Sequence, residues 1–164
     1  MQIEMTIKGL MIDPITNMPI IILRDQEGQR ILPIWVGVFE ANAIALQIEN
    51  VQTPRPMTHD LLKNVIDDLS ARVDRIVVTE LKENTFYASI TLQLNGREVE
   101  IDSRPSDALA LAVRTKAPIF AAEDVIAESA IEFEHEVEDQ DEVVEKFKDF
   151  LDTVTPEDFA SGES

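Results

Sequence analysis

A chain of 164 residues without cysteine, with 32 acidic and 14 basic side chains, is long enough for one domain with a substantial core, and it has neither disulfides nor thiolate metal sites. Its formal charge of −18 excludes the broad basic surface by which proteins hold nucleic acid through counterion release. The charge is uneven: residues 123–164 carry 16 acids and two lysines, −14, whereas residues 1–122 carry 16 acids against 12 bases, −4.

The opening "IEMTIKGLMID" and the following "MPIIILRD" are apolar and β-branched, with turn residues "DPITNM" between them, and "DQEG" turns into "QRILPIWV". Three antiparallel strands in a meander are expected. "EANAIALQIEN" then sets Ala41, Ile44, Ala45 and Ile48 at helical spacing, with Glu40 in the first turn. After the breaker "TPRPM", Thr58 is expected to cap and begin a second helix, with Leu61, Leu62, Val65, Ile66 and Leu69 on its buried side.

The second half repeats the plan. "DRIVVTELK" and "TFYASITLQL" flank "EN", the dipeptide "NG" signals a hairpin, and "REVEIDS" returns as a third strand. An alanine-rich helix follows, led by Pro105. A shift of 67 residues places Ile34 on Ile101, Asn17 on Asn84, Glu40 on Asp107, and Ala41, Ala43 and Ala45 on Ala108, Ala110 and Ala112. The pattern predicts an α+β fold of duplicated β-β-β-α units, a mostly antiparallel sheet with helices packed against it. Residues 1–127 form the expected domain, in which "APIFAAEDVIAES" opens a last short strand and helix. Residues 128–164 form an acidic tail with one helix predicted over 143–154.

Glycine-rich phosphate loops, HExxH, Cys/His zinc patterns and GxSxG are all missing from the sequence. Polar chemistry gathers instead at two loop-to-helix corners. "PRPMTHDLL" joins Arg55, Thr58, His59 and Asp60; "IDSRPSDA" joins Asp102, Arg104, Ser106 and Asp107. At the first corner a histidine can serve as general acid or base and an arginine can clamp a phosphate, or Thr58 and Asp60 can open a helix beside a surface His59. At the second, Asp102, Arg104 and Asp107 suit either a site or an ion-paired helix entry in which Ser106 and Asp107 satisfy free amides. Trp35 and Phe39 read as core or interface anchors in apolar surroundings, and apolar strands with these aromatics predict a homo-oligomer. No apolar run reaches about 18 residues and no basic region leads into a long apolar one, so a cytoplasmic protein without membrane contact is expected.

The stretches "LPIWVGVFEANAIALQIENVQTPRPMTHDLL", "TFYASITL" and "IDSRPSDALALAVRTKAPIF" closely resemble the bifunctional nuclease domain family, over roughly residues 1–127. The resemblance implies an α+β fold and hydrolysis of both DNA and RNA. The chemistry of phosphodiester hydrolysis assigns catalytic roles to His59, Asp60, Asp102 and Asp107 and phosphate contacts to Arg55 and Arg104. A divalent metal, Mg²⁺ or Mn²⁺, is expected on Asp102, Asp107 and Glu40. The alternative is a non-catalytic oligomeric interaction or regulatory protein whose corners only cap helices.

Overall fold

A computed structural model describes residues 1–132. Strands β1 (Gln2–Ile12), β2 (Pro19–Asp25) and β3 (Arg30–Trp35) form an antiparallel meander that leads into α1 (Val38–Ile48). Helix α2 (Thr58–Asp68) connects to a second meander, β4 (Arg72–Lys82), β5 (Thr85–Leu94) and β6 (Arg97–Ser103), which leads into α3 (Pro105–Thr115). Strand β7 (Ile119–Ala122), helix α4 (Glu123–Ser129) and the short β8 (Ile131–Glu132) complete the described chain. The predicted helix over 143–154 lies outside the described residues.

All eight strands join one sheet in the order β6-β5-β4-β7-β1-β2-β3-β8. Each meander places its first strand innermost, and β7 slots between them, antiparallel to β1 and parallel to β4. The fold is α+β with a mostly antiparallel sheet. Helices α1 and α3 begin and end 67 positions apart, and Asn17 and Asn84, at the same spacing, both hold the left-handed conformation in turns. The correspondence stops at burial: Ile34 is sealed in the core whereas Ile101, on the edge strand β6, is 43% exposed. The Asn95–Gly96 hairpin has positive φ at both residues, as a two-residue turn matched to strand twist requires. Pro33 is tolerated in β3 because β8 covers only Arg30 and Ile31, which leaves the far edge at Pro33 without a ladder partner.

The main core lies between the sheet and the helices. Ala108, Ala110 and Ala112 of α3 are essentially inaccessible, and their small side chains let α3 settle against β4 and β5 with α1 alongside. Strand β2 is apolar on both faces because Ile21 and Leu23 enter this core while Ile20 and Ile22 pack with Ile31 in a second cluster, beside Met11 and Trp35. No helix among the described residues is long and apolar enough to cross a membrane.

The structure corrects the expected burial of α2. Ile66 and His59 are its buried residues, whereas Leu61, Leu62, Val65 and Leu69 are exposed by 57, 37, 46 and 67%. The cause is α3, which occupies the surface over β4 and β5 and holds α2 out to one side, against α3 and a short part of β4. Ile48, at the end of α1, is likewise exposed rather than buried.

Candidate active site

The two polar corners converge. Helix α3 starts at Pro105, whose missing N–H needs no partner in a first turn, and Arg104 before it holds the extended N-cap conformation. Arg104 Nε donates to Asp107 Oδ2 at 2.9 Å, and Nη2 donates to Glu40 Oε1 at 2.7 Å while lying 2.8 Å from Asp107 Oδ2. The second oxygen of Asp107, Oδ1, lies 2.8 Å from His59 Nε2 on α2. A continuous chain of polar contacts thus runs His59, Asp107, Arg104, Glu40, and it ties the entries of α1, α2 and α3 together.

This geometry settles two alternatives that the sequence leaves open. Asp107 is not a helix cap, since both of its oxygens are engaged by His59 and Arg104. His59 is not a surface histidine, with only 8% of its area exposed. Because Asp107 accepts at Nε2, the neutral ring places its proton there and leaves Nδ1 as the basic nitrogen; Nδ1 has no hydrogen-bond partner among the described residues. The Glu40 hydrogen bond, followed by the bond and charge of Asp107, raises the affinity of Arg104 for its proton against the opposing effect of burial.

Asp60 and Arg55 stand elsewhere. Asp60 Oδ2 accepts the Met57 N–H at 2.9 Å, so the N-cap position of α2 is Met57 rather than Thr58, and Asp60 Oδ1 accepts Arg114 Nε at 2.7 Å. The Met57 N–H is the largest influence holding the Asp60 carboxyl below the usual range; the Arg114 bond and charge add to it against burial. Arg55 is exposed and lines a separate cavity of about 310 Å³ with Asp60 and Arg114. Asp102 sits exposed on β6 opposite Ser89 and shares the wall of an outer groove with His59, Arg104 and Asp107, but it forms no ion pair with Arg104.

Two residues that carry the geometry were not singled out from the sequence. Arg114, nearly inaccessible, joins three helices: besides Asp60 on α2 it donates to Ala110 O at 2.9 Å and to Ala43 O of α1 at 3.0 Å. Its only signal was a lone cation closing the apolar run "ALALAVRT". Gly37, the N-cap residue of α1, leaves the space into which the Glu40 carboxylate folds back; a Cβ there would collide with Glu40 Oε2.

His59, Asp107, Arg104 and Glu40, with Phe39 and Met57, wall a cavity of about 260 Å³. The residues do not fit a divalent metal as arranged. Glu40 and Asp107 grip the Arg104 guanidinium, Asp102 stands apart, and no three Asp, Glu or His side chains among the described residues are grouped to hold an ion. A base held by a carboxylate, beside a guanidinium with a free Nη1, is suited to moving a proton next to an anionic group.

Residues 21–134 match the family described as Bifunctional nuclease domain. The chain belongs to this bifunctional nuclease domain family. It is 38% identical over 162 residues to the Uncharacterized protein Rv1829 of Mycobacterium tuberculosis, a match that spans 95% of this chain and 97% of that one. It is 32% identical over 105 residues to Bifunctional nuclease 1 of Arabidopsis thaliana and, over the same length, to Bifunctional nuclease 2 of Oryza sativa subsp. japonica. Those matches cover 62% of this chain and 32% of each plant protein.

Proposed function

We propose that this chain hydrolyses phosphodiester bonds of DNA and RNA, with the corner around His59 as its active site. The observation that carries this reading is the 2.8 Å contact between His59 and Asp107 beside a half-exposed Arg104; family membership and the plant relatives named as bifunctional nucleases support it. His59 Nδ1 takes a proton from the attacking water, whose oxygen forms the new bond to phosphorus, and Asp107 stabilises the imidazolium that results. The departing oxygen takes a proton from that imidazolium or from solvent. Arg104 Nη1 meets the charge that develops on the phosphoryl oxygens. Asp60 holds α2 in place through Met57 and Arg114, and Arg55 contacts substrate away from the reacting phosphate. No step is routed through Mg²⁺ or Mn²⁺, because the carboxylates that would hold it already hold Arg104.

The test is hydrolysis of single-stranded DNA and RNA oligonucleotides by the purified chain and by folded His59→Gln. The expected loss in the variant is about 10²–10⁴-fold, the usual worth of a positioned acid or base. Equal rates for the two proteins would remove His59 from the mechanism. One feature favours the second reading, a non-catalytic interaction protein: Glu40, Asp107 and Asp102 outnumber Arg104, so the corner is net acidic toward a phosphodiester. That reading predicts no turnover on either substrate.

A further inference from the structure

Helix α2 has an amphipathic sequence, and its apolar stripe is turned outward. Leu61, Leu62, Val65 and Leu69 face a groove of about 940 Å³ whose floor and far wall include Ile90, Leu92 and Ile101. A stripe of this kind is uncommon on a surface that meets only water. Thr58, His59, Arg104 and Asp107 wall both this groove and the 260 Å³ corner, so an occupant of the groove closes one side of the corner. Phe39, 88% exposed, and Met57, 46% exposed, extend the apolar surface along the corner's other rim.

We infer that a second copy of this chain docks here, α2 against α2 about a two-fold axis, and roofs the His59 corner. The groove lining contains no Phe, Tyr or Trp ring on which the bases of a nucleic-acid strand could stack. Its polar end sets Asp102 and Asp107 against the single Arg104, which disfavours the chain's own residues 143–154, because they follow six carboxylates within residues 133–142. A second copy needs only a self-complementary apolar face, which a helix with leucines at its two ends and valine at its middle supplies. The exposed parts of Phe39, Met57, Leu61, Val65, Leu69 and Ile101 come to roughly 600 Å², close to the 800 Å² or so that each partner contributes to a standard stable interface. The inference rests on the α2 surface and not on the nuclease reading, and its readout is mass rather than turnover.

The test uses the full chain at micromolar concentration in sedimentation and light scattering. Wild type is expected to run as a dimer, and Leu61→Glu with Leu69→Glu is expected to halve the mass with an unchanged circular dichroism spectrum. Because the chain has no cysteine, Val65→Cys provides a second, independent reading. Mid-helix residues meet across the axis, so mild oxidation should link this variant into dimers, while Lys82→Cys, exposed on β4, stays unlinked. A wild-type monomer overturns the proposal: a reactive thiol in Val65→Cys then points to a foreign partner for the groove, and a shielded one to the chain's own C-terminal segment. A dimer that survives Leu61→Glu with Leu69→Glu and leaves the Val65→Cys thiol unlinked also overturns it.

Discussion

Arg104 and Glu40, 64 residues apart, are joined at 2.7 Å, so the first-turn carboxylates of α1 and α3 meet at one guanidinium nitrogen, Nη2. The arrangement depends on Gly37, since a side chain there would occupy the place of the Glu40 carboxylate. Glu40 ends in a flexible group, so Gly37→Ala is expected to fold, with a stability loss below about 1 kcal/mol for a half-exposed ion pair. Both it and Glu40→Gln are expected to lower nucleic-acid hydrolysis about tenfold, by loosening the hold on Arg104. Thermal melts and initial rates of the two variants check this. Full activity in Gly37→Ala with a loss in Glu40→Gln would break the proposed link.

Asp60 and Arg114 make a stability prediction that does not involve the reaction. Breaking their contact leaves a buried guanidinium short of its counter-charge, and Asp60→Asn is expected to cost about 2 kcal/mol at neutral pH. The Asp60 carboxyl is held below its ordinary value, first by the Met57 N–H and then by Arg114. A depressed carboxylate stabilises the fold above the unfolded pKa of about 4, and that contribution is lost as pH falls through the lower folded value. Denaturant melts between pH 7 and 3 should therefore show wild type weakening below about pH 4 and Asp60→Asn weakening less. Burial would raise the carboxyls of Asp13 and Asp25, but it is outweighed: at Asp13 by the backbone N–H of Ile15 and the Trp35 indole, and at Asp25 by Arg30 and backbone N–H groups. These two supply the acid sensitivity that remains in the variant.

What could be read along the chain was local. The Asn95–Gly96 turn, the two three-strand meanders and the alanine face of α3 follow from dihedral preference, alternation and side-chain size within a few residues. Periodicity marked which side of α2 is apolar, but whether anything covers that side depends on α3, more than 40 residues later. The same limit governs the site. Both corners were visible as concentrations of His59, Asp60, Arg104 and Asp107, yet only tertiary packing divides them, sending His59 to Asp107 and Asp60 to Arg114. Nothing near Arg114 in the sequence points to α1 and α2, because two of its three acceptors are backbone carbonyls, which every residue possesses.

The carboxylate geometry makes a prediction about metal. With Glu40 and Asp107 committed to Arg104, hydrolysis is expected to persist in excess chelator within about threefold of its rate in Mg²⁺. Assays on the same oligonucleotides with and without chelator decide it. Abolished activity that Mg²⁺ or Mn²⁺ restores would mean that Arg104 gives way to an ion on Glu40, Asp107 and Asp102 during turnover.

The claim that His59 and Asp107 act as one unit is tested most directly by a double-mutant cycle in the hydrolysis assay. His59→Gln, Asp107→Asn and the double variant, each confirmed folded, are compared with wild type on single-stranded DNA and RNA. If Asp107 serves only to orient and stabilise His59, the double variant should be no slower than His59→Gln alone, because removing the second member of a unit costs little once the first is gone. Losses that multiply in the double variant would show the two residues acting independently and would contradict the account.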